Sequence, residues 1–150
     1  LGITVLGDST YAWRAGLPRG PVDLSADVPV PLYGATSSGA SYWTISVHVT
    51  GDNSPGGTTP GTLTVGLAGV GSQPIPDATV DRNGNFSARA SYAEHPGYWS
   101  ITIEGHLAAN RQVSILKLAA NHWRTDYAGA LGEYPDNQMG SRGSGDAQLR

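Results

Sequence analysis

The chain has 150 residues and a formal net charge of −3, with twelve acids set against eight arginines and a single lysine, Lys117. Phosphate backbones are bound by a concentrated basic face that releases counterions, which this balance does not supply, so nucleic acid is excluded as an expected partner. Only 14% of residues are charged and no run approaches the roughly 18 apolar residues of a membrane span, so one domain with an uncharged surface and no membrane insertion is expected.

Without cysteine there is neither disulfide nor thiolate metal site, and redox compartment cannot be read from thiols. Twenty-one glycines and ten prolines favour strands joined by many turns. Leu1 is not an initiator methionine, so a processed form of a longer chain is expected, and the apolar start Leu1–Leu6 is too short for a signal-peptide core.

The pattern changes near residues 41 and 120, which predicts an N-terminal extended arm over 1–40, a β-sandwich over 41–120 and a C-terminal arm or tail over 121–150. In the first part, Leu17–Gly34 carries Pro18, Pro21, Pro29 and Pro31 among apolar residues and predicts an extended strap. In Tyr42–Thr50, Trp43, Ile45, Val47 and Val49 point one way and Tyr42, Thr44, Ser46 and His48 the other, the period of a half-buried strand. Leu63, Val65 and Leu67 alternate with Thr62, Thr64 and Gly66 in the same manner. Ala78 and Val80 lead into Asp81-Arg82-Asn83-Gly84-Asn85, after which Phe86, Ala88 and Ala90 alternate with Ser87 and Arg89. Asn-Gly supplies the positive-φ residues of a tight turn, so these two segments are expected to pair as a hairpin. Tyr98–Gly105 puts Trp99, Ile101 and Ile103 on one face, with Ser100, Thr102 and Glu104 opposite. In Gln112–Leu118 the alternation slips, because Val113 and Ile115 share a face with Lys117 while Leu116 and Leu118 lie opposite; a bulge or two-sided burial is predicted. The tail over 132–150 is poor in aliphatics and rich in Gly, Ser and Asp, so it is expected to be ordered only by docking onto something.

The succession "GTLTVGLAG", "ATVDRNGNFSARA" and "GYWSITIEGH" is similar to the immunoglobulin-like repeats of bacterial surface proteins and of phage structural, capsid-decorating proteins. In those repeats a strand, a D-x-N-G-x-[FW] hairpin and a W-x-I-x-I strand recur in that order. The resemblance covers residues 43–120 and implies an all-β fold: an immunoglobulin-like antiparallel β-sandwich, here with extended N- and C-terminal arms. Such modules serve as spacers, adhesins and capsid decorations, so the resemblance constrains the fold more than the task. Long arms on both sides fit an assembly subunit better than one bead of a tandem array.

Motifs that would carry chemistry have simpler explanations. "ITVLGDST", residues 3–10, looks like the nucleophile block of GDSL-type hydrolases, with Ser9 in the nucleophile's place. No Asp-x-x-His block exists to deliver a base, and proline interrupts the segment that should begin a helix, so no catalytic residue is assigned. His48, His95, His106 and His122 lack metal-ligand spacing. "DRNGN" begins like a calcium loop, but its glycine falls too early and the bidentate glutamate is absent, so no metal or cofactor is expected. Asn85-Phe86-Ser87 fits a glycosylation acceptor, a match common by chance.

Aromatic residues divide by position. Trp43 and Trp99 are in phase with the apolar faces of their strands and are assigned to the interior. Tyr11, Trp13, Tyr33, Trp123, Tyr127 and Tyr134 lie in the arms, where large aromatics need a partner surface, either the domain's own sheet or a neighbouring subunit. The expected function is a non-enzymatic structural subunit of a virion surface, filament or cell-surface layer, meeting protein neighbours through its arms. The expected location is accordingly extracellular, on a cell surface or in a virion. The rival reading is a carbohydrate-binding module, which requires exposed aromatics in a row on one sheet face. A fragment limited to 41–120 is expected to stay folded and to lose assembly.

Overall fold

The computed structural model describes residues 10–34, 41–54, 60–69, 74–94, 97–124 and 134–150, with 32–34, 41–42, 94, 122–124 and 134–142 described by their backbone course alone. Among these residues one short 3-10 turn, Ala12–Gly16, precedes eight strands: β1 (Pro21–Gly34), β2 (Ser41–Asp52), β3 (Leu63–Ala68), β4 (Ala78–Thr79), β5 (Asn85–Glu94), β6 (Gly97–Leu107), β7 (Gln112–Arg124) and β8 (Tyr134–Gln148). No helix among the described residues is long and apolar enough to cross a membrane.

All pairings are antiparallel. Two four-stranded halves, β1 to β4 and β5 to β8, enclose one apolar core as an all-β sandwich-type fold. The strand order is β4-β3-β2-β1-β8-β7-β6-β5, so consecutive strands pair except β4 with β5, and β1 closes onto β8. This up-and-down order differs from the Greek-key connections of immunoglobulin domains. The two ends of the order, β4 and β5, are linked by the turn Asp81–Asn85, so the sheet curls round its core until its edges approach each other there.

Period-2 alternation decides which face is inside. Ile45, Val47 and Val49 on β2, Leu63 and Val65 on β3, Ile101 and Ile103 on β6, and Val113 and Ile115 on β7 are buried. β1 joins them with Val22, Leu24, Val28 and Val30. The Leu17–Gly34 strap is therefore extended as expected, but it is a strand within the sheet, in continuous register with β2 from Pro21↔Asp52 to Leu32↔Ser41. The tail docks onto the same sheet, pairing with β7 from Gln112↔Gln148 to Arg124↔Tyr134. Strand pairing thus crosses both limits of the 41–120 span.

The β1/β8 seam follows from proline chemistry. Ser25 and Arg150 exchange two backbone hydrogen bonds of 3.0 Å, so the odd-numbered residues of β1 direct their backbone groups at β8. Pro29 and Pro31 share that parity and have no N–H to give. Ladder pairing between the strands is accordingly confined to Leu32–Gly34 against Ser141–Gly143, with the Ser25–Arg150 pair at the far end. Between these contacts Gly143 and Gly145 lie so close to the carbonyls of Pro31 and Pro29 that an added Cβ would overlap them.

The Asp81–Asn85 turn forms, but the hairpin does not extend beyond it. Asp81 N–H donates to Asn85 C=O at 2.9 Å, and Gly84 takes φ 87°. β4 then turns away to β3, with Val80 N–H on Leu63 C=O at 3.0 Å, while β5 pairs with β6. The expected pairing of these two segments is corrected: the turn joins neighbours of two different partners. The slip in β7 is a bulge, with register shifts between Glu104 and Gly105 on β6 and between Ile115 and Leu118 on β7.

Candidate interaction surface at the aromatic end

The two ends of the sandwich differ in chemistry. At one end the segment Tyr11–Gly20 forms a plug. Trp13 is 4% exposed, its Nε1 donates to the Arg82 carbonyl at 3.0 Å, and its ring lies against Gly84, where a Cβ would stand 2.9 Å from the indole Cγ. Arg14 lies over the rings of Tyr11 and Trp13, 5.4 and 5.0 Å from their centroids. It donates to Asn53 Oδ1 at 3.4 Å and to the Gly61 carbonyl at 2.6 Å. Burial lowers the Arg14 pKa from its ordinary value, opposed by Tyr11 and Asp52. Asn53, itself buried, donates through Nδ2 to the carbonyls of Arg14, Leu17 and Pro18. Arg111 closes the plug from the other half by donating Nε–H to the Gly16 carbonyl at 2.5 Å.

Of the two partners open to Trp13 in the sequence, its own sheet or a neighbour, it takes its own sheet. Tyr11 is half-buried beside it, its N–H on the Arg82 carbonyl at 2.6 Å. The signal that separates this pair from the other arm aromatics is their position, only a few residues before β1 and on the side where Asn53 and Gly84 lie.

Phe86 is buried near the plug, while register places Trp43, Tyr92, Trp99 and three of the arm aromatics at the opposite end. Trp43 faces Val30 across β1/β2, Tyr92 faces Trp99 across β5/β6, and all of Trp43, Tyr92 and Trp99 pack half-buried against the core. Trp123 is in register with Tyr98 on β6 and with Pro135 on β8, Tyr134 with Arg124, and Tyr33 with Arg142. Tyr33, Trp123 and Tyr134 therefore converge, by backbone placement, on the end that the plug does not occupy. Tyr127 lies outside the described residues, as does Ser9 with most of its GDSL-like block. Sequence reading separated the arm aromatics from Trp43 and Trp99; pairing β1 and β8 into the sheet is what brings them together.

The outer faces are polar and sparsely charged. His48 Nε2 meets Asp23 Oδ1 at 2.5 Å, and Ser46 donates to Asp27 at 3.1 Å, all on exposed side chains. Asp81 Oδ1 accepts the N–H groups of Asn83 and Asn85 at 2.8 and 3.0 Å, so the calcium-like motif is an Asx turn that uses its carboxylate locally. His106 Nδ1 lies 2.8 Å from Asn85 Oδ1. Among the described residues no group of three or more His, Asp or Glu could hold a metal ion. The bulge turns Leu116 outward, 59% exposed, between two shallow grooves of about 430 and 470 Å³. It is the one large aliphatic side chain so exposed among the described residues. No family model, curated protein or solved structure matches the chain.

Proposed function

We propose that the chain is a non-enzymatic structural subunit of a larger assembly, such as a virion surface, a filament or a cell-surface layer. Its sandwich-type fold is consistent with a protein–protein interaction module. The observation that carries the reading is the asymmetry of the ends: one is sealed by its own plug, while the other gathers Tyr33, Trp123 and Tyr134 beside half-buried Trp43, Tyr92 and Trp99. Aromatic side chains concentrated at one end suit anchoring in a neighbour, since they supply large contact area at low entropic cost. Low surface charge removes the desolvation penalty that would oppose close packing of copies. An extracellular, cell-surface or virion location follows from this reading.

The carbohydrate-binding alternative calls for a row of aromatics on an outer sheet face. On the outer face of β5 and β6 the alternation instead presents Ser87, Arg89, Ser91, Ser100, Thr102 and Glu104, with Tyr98 at the end. The test is a Trp123→Ala, Tyr134→Ala double variant of the full chain, followed by light scattering and far-UV circular dichroism. Loss of the native particle mass with retained strand signal is expected. A monomeric wild type that retains an oligosaccharide on a glycan array would overturn the reading.

A further inference from the structure

Strand β5 has one edge in the ladder and one outside it. Leu107 N–H donates to Gly84 C=O at 2.8 Å, and with the register Asn85↔His106 to Glu94↔Gly97 this sets which backbone groups face β6. Even-numbered residues of β5 face β6; Ser87, Arg89, Ser91 and Ala93 point their N–H and C=O groups away from it. No strand pairs with that side among the described residues. The same four residues are exposed, whereas Phe86 and Ala88 beneath them are buried. An open groove of about 430 Å³, lined by Thr79, Ser87, Glu104 and Leu116 among others, begins where β4 and β5 part.

The two edges of the sheet are not protected alike. β4 is two residues long and follows Pro74 and Pro76, the devices that blunt an edge. β5 is ten residues long, holds no proline or lysine, and carries a single charge, Arg89, on its exposed face between Ser87 and Ala93. A long edge without such guards is a template for another strand.

We propose that this edge pairs antiparallel with β5 of a second copy of the chain, joining two sandwiches about a two-fold axis at Ala90. In that register Ser87 faces Ala93 of the second copy and Arg89 faces Ser91. Every outward backbone group from Ser87 to Ala93 then finds a partner. Shifting the axis to Arg89 sets two guanidinium groups directly opposite each other, and shifting it to Ser91 brings in the residue before Pro96. Neither alternative satisfies all four residues without a clash of charge or approach to a strand breaker. The contact is isologous and closed, so it yields dimers rather than open fibres. It uses the β5 backbone and none of Tyr33, Trp123 and Tyr134, although its far part, Ser91 to Ala93, borders the aromatic end at Tyr92.

Sedimentation of the full chain over a concentration series tests the proposal. With the aromatic-end contact removed by Trp123→Ala, Tyr134→Ala, the chain is expected to sediment as a dimer. Ser91→Pro removes an N–H that the β6 ladder does not use, and Ser91→Lys places a like charge opposite Arg89 twice per dimer; each should raise Kd about tenfold or more. Ser91→Glu sets an acid opposite Arg89 and should lower Kd severalfold. Should Ser91→Pro fail to fold, the opposite signs of the Lys and Glu variants still decide the register. A double variant that is monomeric throughout, or a dimer indifferent to all three substitutions, overturns the proposal. So does a monomer whose Ser87, Arg89, Ser91 and Ala93 amides exchange slowly, because the chain itself would then cover the edge. Trp123→Ala, Tyr134→Ala should leave this dimer intact, so failure here is distinguishable from failure of the assembly contact.

Discussion

Asn53 holds the plug through more bonds than any other polar side chain described. Its Nδ2 serves three carbonyls at 3.1 to 3.4 Å, its Oδ1 accepts from Arg14, and its own N–H donates to the Gly20 carbonyl at 2.8 Å. Asn53→Ala leaves the buried Leu17 carbonyl and the part-buried Arg14 and Pro18 carbonyls short of a donor and should cost about 1–3 kcal/mol. Asn53→Asp should cost more, because a carboxylate would turn lone pairs toward carbonyl oxygens; urea unfolding of both variants checks the order. Equal midpoints would show that the amide donors are dispensable. Trp13 offers a second comparison at this scale. Trp13→Ala should destabilise by about 3–5 kcal/mol, as for a large buried aromatic. Trp99→Ala should cost less, since Trp99 is only half-buried at the far end. A larger loss for Trp99 would contradict the placement of the two rings. In sequence the two tryptophans stood the other way round, Trp99 in a clear apolar alternation and Trp13 in an arm, because periodicity cannot register a plug that reaches the core from outside a strand.

Elements differed in how legible they were, for identifiable reasons. β2, β3, β6 and the start of β7 alternate large aliphatics with polar residues and could be read directly; the slip around Leu116 announced the bulge. β1 carried the same alternation in Val22, Leu24, Val28 and Val30, but its prolines argued against a central strand. That argument holds for a strand donating to both sides, and β1 avoids it by pointing Pro29 and Pro31 at the seam. β8 had no apolar signal to offer, because its inward positions near the seam are Gly143, Gly145 and Ala147. The absence of side chains there is structural: a Cβ at Gly145 would overlap the Pro29 carbonyl. Gly145→Val should therefore destabilise the chain by about 1–3 kcal/mol through overpacking, read as a lowered urea midpoint. If the variant is as stable as wild type, β8 does not lie against β1 as described. The aromatic end was illegible for the same reason as the seam, since its members come together only once β1 and β8 are in the sheet.

For the molecule as a whole, the position of β1 and β8 decides what a fragment can do. They are neighbours at the middle of the strand order, and each is flanked by a strand from the 41–120 span, β2 for β1 and β7 for β8. Cutting the chain to 41–120 removes both and leaves two three-stranded remnants, β4-β3-β2 and β7-β6-β5, tethered by the Asp81–Asn85 turn. Val28 and Val30, both fully buried, would go with β1, and Leu149 would go with the tail. The plug would go as well, exposing Gly84 and the ends of β2 and β6. The inner edges of β2 and β7 would then present unpaired backbone next to exposed Ile45, Val47, Leu118 and Ala120, a combination that favours aggregation over a folded monomer. Alternation within 41–120 suggested a self-sufficient sandwich because that span supplies most of the large aliphatics; it does not supply the strands that join its two halves. The fragment should therefore show no cooperative thermal transition by circular dichroism and should associate nonspecifically in light scattering, while the full chain unfolds in one step. A 41–120 fragment that melts cooperatively as a monomer would mean that the halves find each other without β1 and β8, and that the outer segments serve assembly alone.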